Sequence, residues 1–176
     1  METRTVLDNI VRGIGNLPNL SRDSIQNSLN GCSSDLRKLA SLAEFSSSHP
    51  YGRKIIENNG RFEMLLTGWE PNTACLPHDH RNSDGLILVC EGKARNKSYR
   101  VSFDSDRQLE VNYSETIEEG STFFVRKGEI HSTTNDSSRR MVGLHIYWPA
   151  VESMMVYEPQ TKRVFNVTGE AGAWIP

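Results

Sequence analysis

Five histidines occur in the chain, and four of them, His78, His80, His131 and His145, fall between residues 78 and 145. In Pro77-His78-Asp79-His80 two imidazoles stand at i and i+2. On a strand that spacing points both to the same face, a few ångströms apart, as two ligands of one metal must be. A third imidazole has to come from elsewhere in the fold, and His131 is the candidate. His145 and Tyr147 show the same spacing and alternate with Leu144, Ile146 and Trp148, so they share one strand face. Such a pair, facing inward, can hold a phenol in a fixed orientation near a metal. The plainer reading is a satisfied core histidine beside a packing tyrosine. Three imidazoles alone would accept iron, zinc, nickel or copper.

The elements that must position these residues have two characters. Apolar residues at 6, 7, 10, 11 and 14 follow helical spacing. Ser21 precedes a short polar helix that should stop near Asn30-Gly31, and Ser34 or Asp35 can cap a third segment carrying Leu36, Leu39, Ala40 and Ala43. Ser46-Ser-Ser-His-Pro50 ends the helical part. Beyond it, short runs rich in β-branched and aromatic residues are punctuated by Gly, Asn, Asp and Pro: Phe62–Thr67, Gly85–Glu91, Tyr99–Phe103, Ser121–Arg126 and Met141–Trp148. That rhythm predicts an antiparallel sandwich or barrel. The expected architecture is mainly β, a helical segment over residues 1–50 packed on a barrel over residues 51–176.

Composition narrows the function. A chain of 176 residues suits one domain, and a net charge of −2 with no basic run longer than a pair such as Arg139-Arg140 argues against a nucleic-acid partner. No stretch approaches 18 consecutive apolar residues, and the N-terminus lacks the apolar core of a secretion signal, so a cytoplasmic protein without membrane contact is expected. Cys32, Cys75 and Cys90 form no CxxC pair, an odd count that makes a poor disulfide framework, and Cys90 within Leu86-Ile-Leu-Val-Cys90 reads as a small buried hydrophobe. Asn-x-Ser/Thr triplets at Asn96, Asn112, Asn135 and Asn166 read as chance matches. Nothing demands an oligomer, and a monomer is expected.

With these residues in view, two segments resemble the cupin motifs. Gly120-x5-Arg126-x-Gly128-x2-His131-x3-Asn135 is similar to the second motif, with arginine in place of its proline. His78, His80 and Gly92 fit the first motif, His-x-His-x(3,4)-Glu-x6-Gly, but its glutamate position is held by Gly85. Asp84 is one residue away, which on a strand points to the opposite face. The resemblance implies a cupin, a jelly-roll β-barrel, whose metal face is three neutral imidazoles without a carboxylate. Such a face leaves positions open on an octahedral ion for a substrate and dioxygen together.

Within the cupins the chain resembles the cysteine dioxygenases, especially bacterial members, over roughly residues 50 to 160. Tyr51-Gly52-Arg53 is similar to the family's Tyr-x-Arg, Val89-Cys-Glu-Gly92 to its Val-Leu-Glu-Gly, and Leu144-His-Ile-Tyr-Trp-Pro149 to its Leu-His-x-Tyr-Ser-Pro. The resemblance implies Fe(II) held by His78, His80 and His131, and a small thiol substrate, cysteine first, oxidised by O2 to its sulfinate. It implies that Arg53 pairs with the substrate carboxylate, that Tyr51 adds a hydroxyl contact, that Met154 faces the substrate, and that Tyr147, oriented by His145, hydrogen-bonds the bound ligands.

Three departures stand out. Gly85 occupies the position where animal members carry a cysteine cross-linked to the tyrosine, so Tyr147 should be unmodified. Gly143 replaces the serine that opens the family's Ser-x-His-x-Tyr, which is expected to loosen His145 or admit water. Trp148 replaces the serine before Pro149. Another thiol carboxylate, such as 3-mercaptopropionate or mercaptosuccinate, and a non-catalytic ligand-binding cupin stay open as alternatives.

Overall fold

The computed structural model describes residues 2–102, 108–169 and 171–173. Three helices come first: α1 (Glu2–Gly15), α2 (Arg22–Leu29) and α3 (Leu36–Ala40), with a 3-10 turn over Cys32–Asp35. Twelve strands follow: β1 (Gly52–Asn58), β2 (Glu63–Trp69), β3 (Thr73–Ala74), β4 (His78–Asp79), β5 (Asp84–Glu91), β6 (Lys93–Val101), β7 (Leu109–Glu118), β8 (Thr122–Val125), β9 (Ile130–Asn135), β10 (Met141–Trp148), β11 (Ser153–Glu158) and β12 (Arg163–Thr168). The strand expected at Tyr99–Phe103 is the end of β6, and Phe103 lies outside the described residues.

Two antiparallel sheets face one another. One runs β1-β2-β10-β5-β8, the other β12-β11-β4-β9-β6-β7 with β3 beside β9. The centre of the first sheet, β2, β10 and β5, is buried along almost its whole length. Both faces are covered, and this explains why β5 reads as a continuous apolar run where β6, partly solvated, alternates. Met64, Leu66, Leu86, Leu88, Cys90, Val142, Leu144 and Ile146 point outward into a cluster with Leu7, Ile10 and Ile14 of α1, Ile25 and Leu29 of α2, and Leu39 of α3. The intervening Leu65, Ile87, Val89 and Tyr147 pack in two clusters inside the barrel. A one-residue shift of β10 would exchange its apolar outer set for His145 and Tyr147, so the helices fix the register of the inner face.

The helix ends follow their caps in part. Ser21 caps α2, its Oγ accepting the Ser24 N–H at 3.2 Å while Ser24 Oγ accepts the Ser21 N–H at 3.0 Å. At the other end Asn30 and Gly31 stay right-handed, and the chain runs on into the 3-10 turn instead of stopping. Asp35 precedes α3 without capping it, because its carboxylate is taken by Lys38 at 2.8 Å. The barrel's own turns depend on glycine at Gly92, whose φ is +75° and where a Cβ would stand 2.5 Å from the Arg140 carbonyl. Asn135 is fully buried as a loop clamp: its Nδ2 donates to the Glu70 and Arg139 carbonyls at 3.1 and 2.8 Å, and its Oδ1 accepts from Ser137.

Leu144, fully buried at the seam between helices and sheet, sets a test of this arrangement. Leu144→Ala is expected to lower unfolding stability in urea by about 2–5 kcal/mol. Ile55→Ala, on an exposed site of β1, should change it by less than about 0.5 kcal/mol. Equal effects would mean that the helices do not close the core.

Candidate metal centre and substrate pocket

His78 on β4 is the direct cross-strand partner of His131 on β9, which sets their imidazoles side by side on the inner face of the second sheet. His80, two residues past His78, joins them. The ring centroids lie 4.8, 4.6 and 5.1 Å apart, the Nε2 atoms of His78 and His80 are 3.1 Å apart, and one ring nitrogen from each of the three histidines lies within 4.8 Å of the others. Ligands at right angles, each about 2.1 Å from one ion, stand about 3 Å apart.

The neighbours of the triad aim its nitrogens. His78 donates from Nδ1 to the Leu76 carbonyl at 2.9 Å, which leaves Nε2 bare. His131 donates from Nδ1 to Asn96 Oδ1 at 2.9 Å, and Asn96 in turn donates from Nδ2 to Glu115 at 3.2 Å, fixing which way its amide faces. The outcome is a buried His131 Nε2 with no hydrogen-bond partner; His80 Nδ1 is likewise unpartnered. A bare, buried His131 Nε2, with one ring nitrogen from each histidine within 4.8 Å of the others, suits a cation at the centre of the three rings. Burial also holds the rings neutral, the form that ligates: it lowers the His78 pKa to about 4 and those of His80 and His131 well below the ordinary value, with Arg53 adding to the effect on His78 and His80.

No carboxylate joins the triad among the described residues. Asp84 is turned away, its Oδ1 accepting the Lys127 N–H at 2.9 Å. Gly85 faces Tyr147 directly across β5 and β10, and a Cβ there would come within 2.7 Å of the tyrosine Cε1. The phenol ring fills the slot that a glutamate side chain would need. Residue 85 also has no side chain to bond to that ring.

The pocket over the triad lies between the sheets and is lined by Tyr51, Arg53, His145, Tyr147 and Met154 beside the three histidines. Arg53, on β1, has a side chain only 12% exposed and lies 3.7 Å from Glu63 on the neighbouring strand. Tyr51 is stacked on Trp69 with centroids 4.2 Å apart, and its hydroxyl accepts the Ala173 N–H at 2.9 Å. The expected hydroxyl contact is thus tied first to the backbone of the C-terminal segment. Met154, buried, packs with Leu65, Tyr147 and Val151. Tyr147 lies against His80, centroids 4.5 Å apart, and its hydroxyl is 2.9 Å from His145 Nδ1.

Gly143 was expected to loosen His145 or admit water; the structure gives the ring a partner from the neighbouring strand. Thr67, across from Gly143 on β2, places its hydroxyl 2.9 Å from His145 Nε2 and accepts the Trp69 indole N–H at 2.9 Å. Sequence reading missed Thr67, Asn96, Glu63 and Cys75, whose thiol accepts the Thr133 N–H at 3.2 Å and is pushed up by burial to about 12. The available signal for Thr67 and Glu63 was a polar residue on the inner-face parity of a mostly apolar strand. For Asn96, the triplet that raised it pointed to glycosylation and hid its part beside a ligand.

The comparisons with known proteins bear on this geometry. The family model described as cysteine dioxygenase type I matches residues 3–160, so the match includes the N-terminal helices. This chain belongs to the cysteine dioxygenase type I family. Curated relatives include cysteine dioxygenase type 1 of Homo sapiens, 20% identical over 149 residues (83% of this chain, 74% of that protein), and of Danio rerio, 22% identical over 147 residues (79% and 71%). Among solved structures, a double-stranded β-helix protein of Klebsiella pneumoniae superposes with a TM-score of 0.54 at 12% identity, over 68% of this chain and 94% of its own. The fold is the double-stranded β-helix of the cupins, and the histidine cluster has a geometry that could hold a metal ion. Among the described residues, no helix is long and apolar enough to cross a membrane.

Two outcomes follow from the way the imidazoles are held. Asn96→Ala should weaken metal binding about 10–100-fold, read by competition with a chelator, while the fold persists; unchanged affinity would mean that the amide does not aim His131. In metal-free protein, the unfolded histidines bind protons below about pH 6.5 whereas the folded ones resist them to about pH 4 or lower. Stability should therefore fall as pH drops from 7.5 to 5.5, by roughly 1 kcal/mol per buried histidine per pH unit below 6.5. Equal urea midpoints at both pH values would show that the rings are not held neutral.

Proposed function

We propose that this protein is a non-haem iron thiol dioxygenase that converts L-cysteine and O2 to cysteine sulfinate. The observation that carries the reading is a face of three neutral imidazoles with no carboxylate among the described residues, in one pocket with an arginine whose side chain is 12% exposed. His78, His80 and His131 would hold Fe(II), which supplies the open positions where a thiolate and dioxygen meet. The donor set alone does not choose iron; the resemblance to the family is what supports it.

The protein's own residues then have separate tasks. Arg53 offers a planar fork that matches a carboxylate in two hydrogen bonds, an arrangement lysine does not reproduce. Glu63 beside it keeps the pair near neutrality, so an incoming thiol carboxylate does not meet an isolated buried cation. Met154, Leu65 and Val151 give the aliphatic part of the substrate an apolar wall. Tyr51 and Trp69 close the pocket as a stacked pair. Tyr147, pressed on His80 and hydrogen-bonded to His145, presents its hydroxyl to the reacting groups. Burial raises its pKa well above the ordinary value, which favours the neutral phenol, a hydrogen-bond donor. Small-molecule partners suffice: the thiol and O2.

Oxygen uptake by iron-loaded protein, measured side by side with cysteine, 3-mercaptopropionate and mercaptosuccinate and with products identified by mass, tests the reading. Cysteine-dependent uptake with cysteine sulfinate as product is expected. Arg53→Ala should raise KM for cysteine roughly 10- to 100-fold, the loss of a charge-assisted pair. Uptake with 3-mercaptopropionate or mercaptosuccinate alone would move the substrate to that thiol. Iron binding without uptake on any thiol would sink the proposal.

A further inference from the structure

The pocket contains a hydrogen-bonded row that crosses from β2 to β10: Trp69 Nε1, Thr67 Oγ1, His145 and Tyr147 Oη, each link 2.9 Å. All four residues are buried, Trp69 and Thr67 at 1% exposure. We propose that Thr67 is a positioning residue that fixes the tautomer of His145 and thereby turns the Tyr147 hydroxyl into a hydrogen-bond donor aimed into the pocket.

The direction of each bond follows from what the groups can do. An indole N–H only donates, so Thr67 Oγ1 is its acceptor. The threonine proton then has two acceptors within reach, His145 Nε2 at 2.9 Å and the Gly143 carbonyl at 3.5 Å. The shorter contact takes it. With Nε2 accepting, the neutral ring carries its proton on Nδ1 and donates it to Tyr147 Oη. The phenol proton, no longer needed by the histidine, is left for the pocket, on the side where the Tyr147 ring lies against His80. In the opposite tautomer Nε2 would donate to Thr67, Nδ1 would accept from Tyr147, and the phenol proton would point away from any ligand.

Gly143 is the other half of the device. A Cβ at position 143 would fall 2.8 Å from His145 Nε2 and 3.1 Å from Thr67 Oγ1, in the space where ring and hydroxyl meet. A hydroxyl therefore reaches the ring from across the strand pair only because its cross-strand neighbour has no side chain. Burial keeps the His145 ring neutral, so the tautomer is a defined property near neutral pH.

The tautomer itself is independent of the reaction; its effect on turnover rests on the thiol dioxygenase reading. The first test is 15N-detected NMR of the histidine ring nitrogens in metal-free protein. The wild type should show His145 protonated on Nδ1 and bare on Nε2, and Thr67→Val should show a mixture of both forms. A wild-type ring protonated on Nε2 would overturn the proposal, whether or not Thr67→Val folds. The second test is steady-state kinetics of the iron-loaded proteins. Thr67→Val should lower kcat about 10–100-fold with thiol KM within about twofold, and Thr67→Ser should restore most of kcat. Full kcat in a folded Thr67→Val variant, or no recovery with serine, would overturn the role in turnover. If the wild type turns over no thiol yet shows the Nδ1 tautomer, the proposed function fails and the hydrogen-bonded row stands.

Discussion

Packing three imidazoles into an interior is the constraint that most of this structure answers. His131 Nε2 and His80 Nδ1 are buried without a hydrogen-bond partner, and the Nε2 atoms of His78 and His80 have only each other. Buried polar atoms in that state destabilise a fold unless something outside the protein satisfies them. The surroundings settle which atoms are left bare: the Leu76 carbonyl and the Asn96 amide occupy the far nitrogens, and desolvation keeps the rings uncharged. The site is thus held ready for a cation by contacts that do not themselves touch it.

The same economy of space governs the other wall of the pocket. The absence of a side chain at Gly85 lets the Tyr147 ring lie where a fourth, anionic ligand would otherwise stand. The absence of one at Gly143 lets Thr67 reach His145. Two glycines on inner-face positions of a sheet weaken it locally, and both are tolerated because β5 and β10 are clamped from outside by the helices. Stability is thereby separated from function: the outer parity of the central strands makes the core, and the inner parity is free to carry polar groups.

Electrostatically the pocket is close to balanced before any ligand enters. Neutral histidines face an arginine that sits beside a buried glutamate. A dication on the triad would make the site cationic, which favours a thiolate that also bears a carboxylate over a neutral thiol.

Much of the fold was legible in the chain itself. The period-two runs, the helical spacing of residues 6 to 14 and the Ser21 cap are local consequences of alternation and hydrogen bonding, and the structure has all three. His145 with Tyr147 was visible because i, i+2 on a strand leaves a side chain no choice of face, and His78 with His80 was visible from the same spacing although β4 ends at Asp79. Tertiary pairing alone decided what crosses between strands. The cross-strand register of β4 on β9 places His131 against His78, and that of β2 on β10 places Thr67 against Gly143. In the first sheet, register is set by the whole outer face packing on the helices, a sum over many residues that no short segment encodes. Asn96 and Thr67 lie far in sequence from the histidines they hold. Sequence determined which residues could do chemistry; only the folded sheets determined which of them meet.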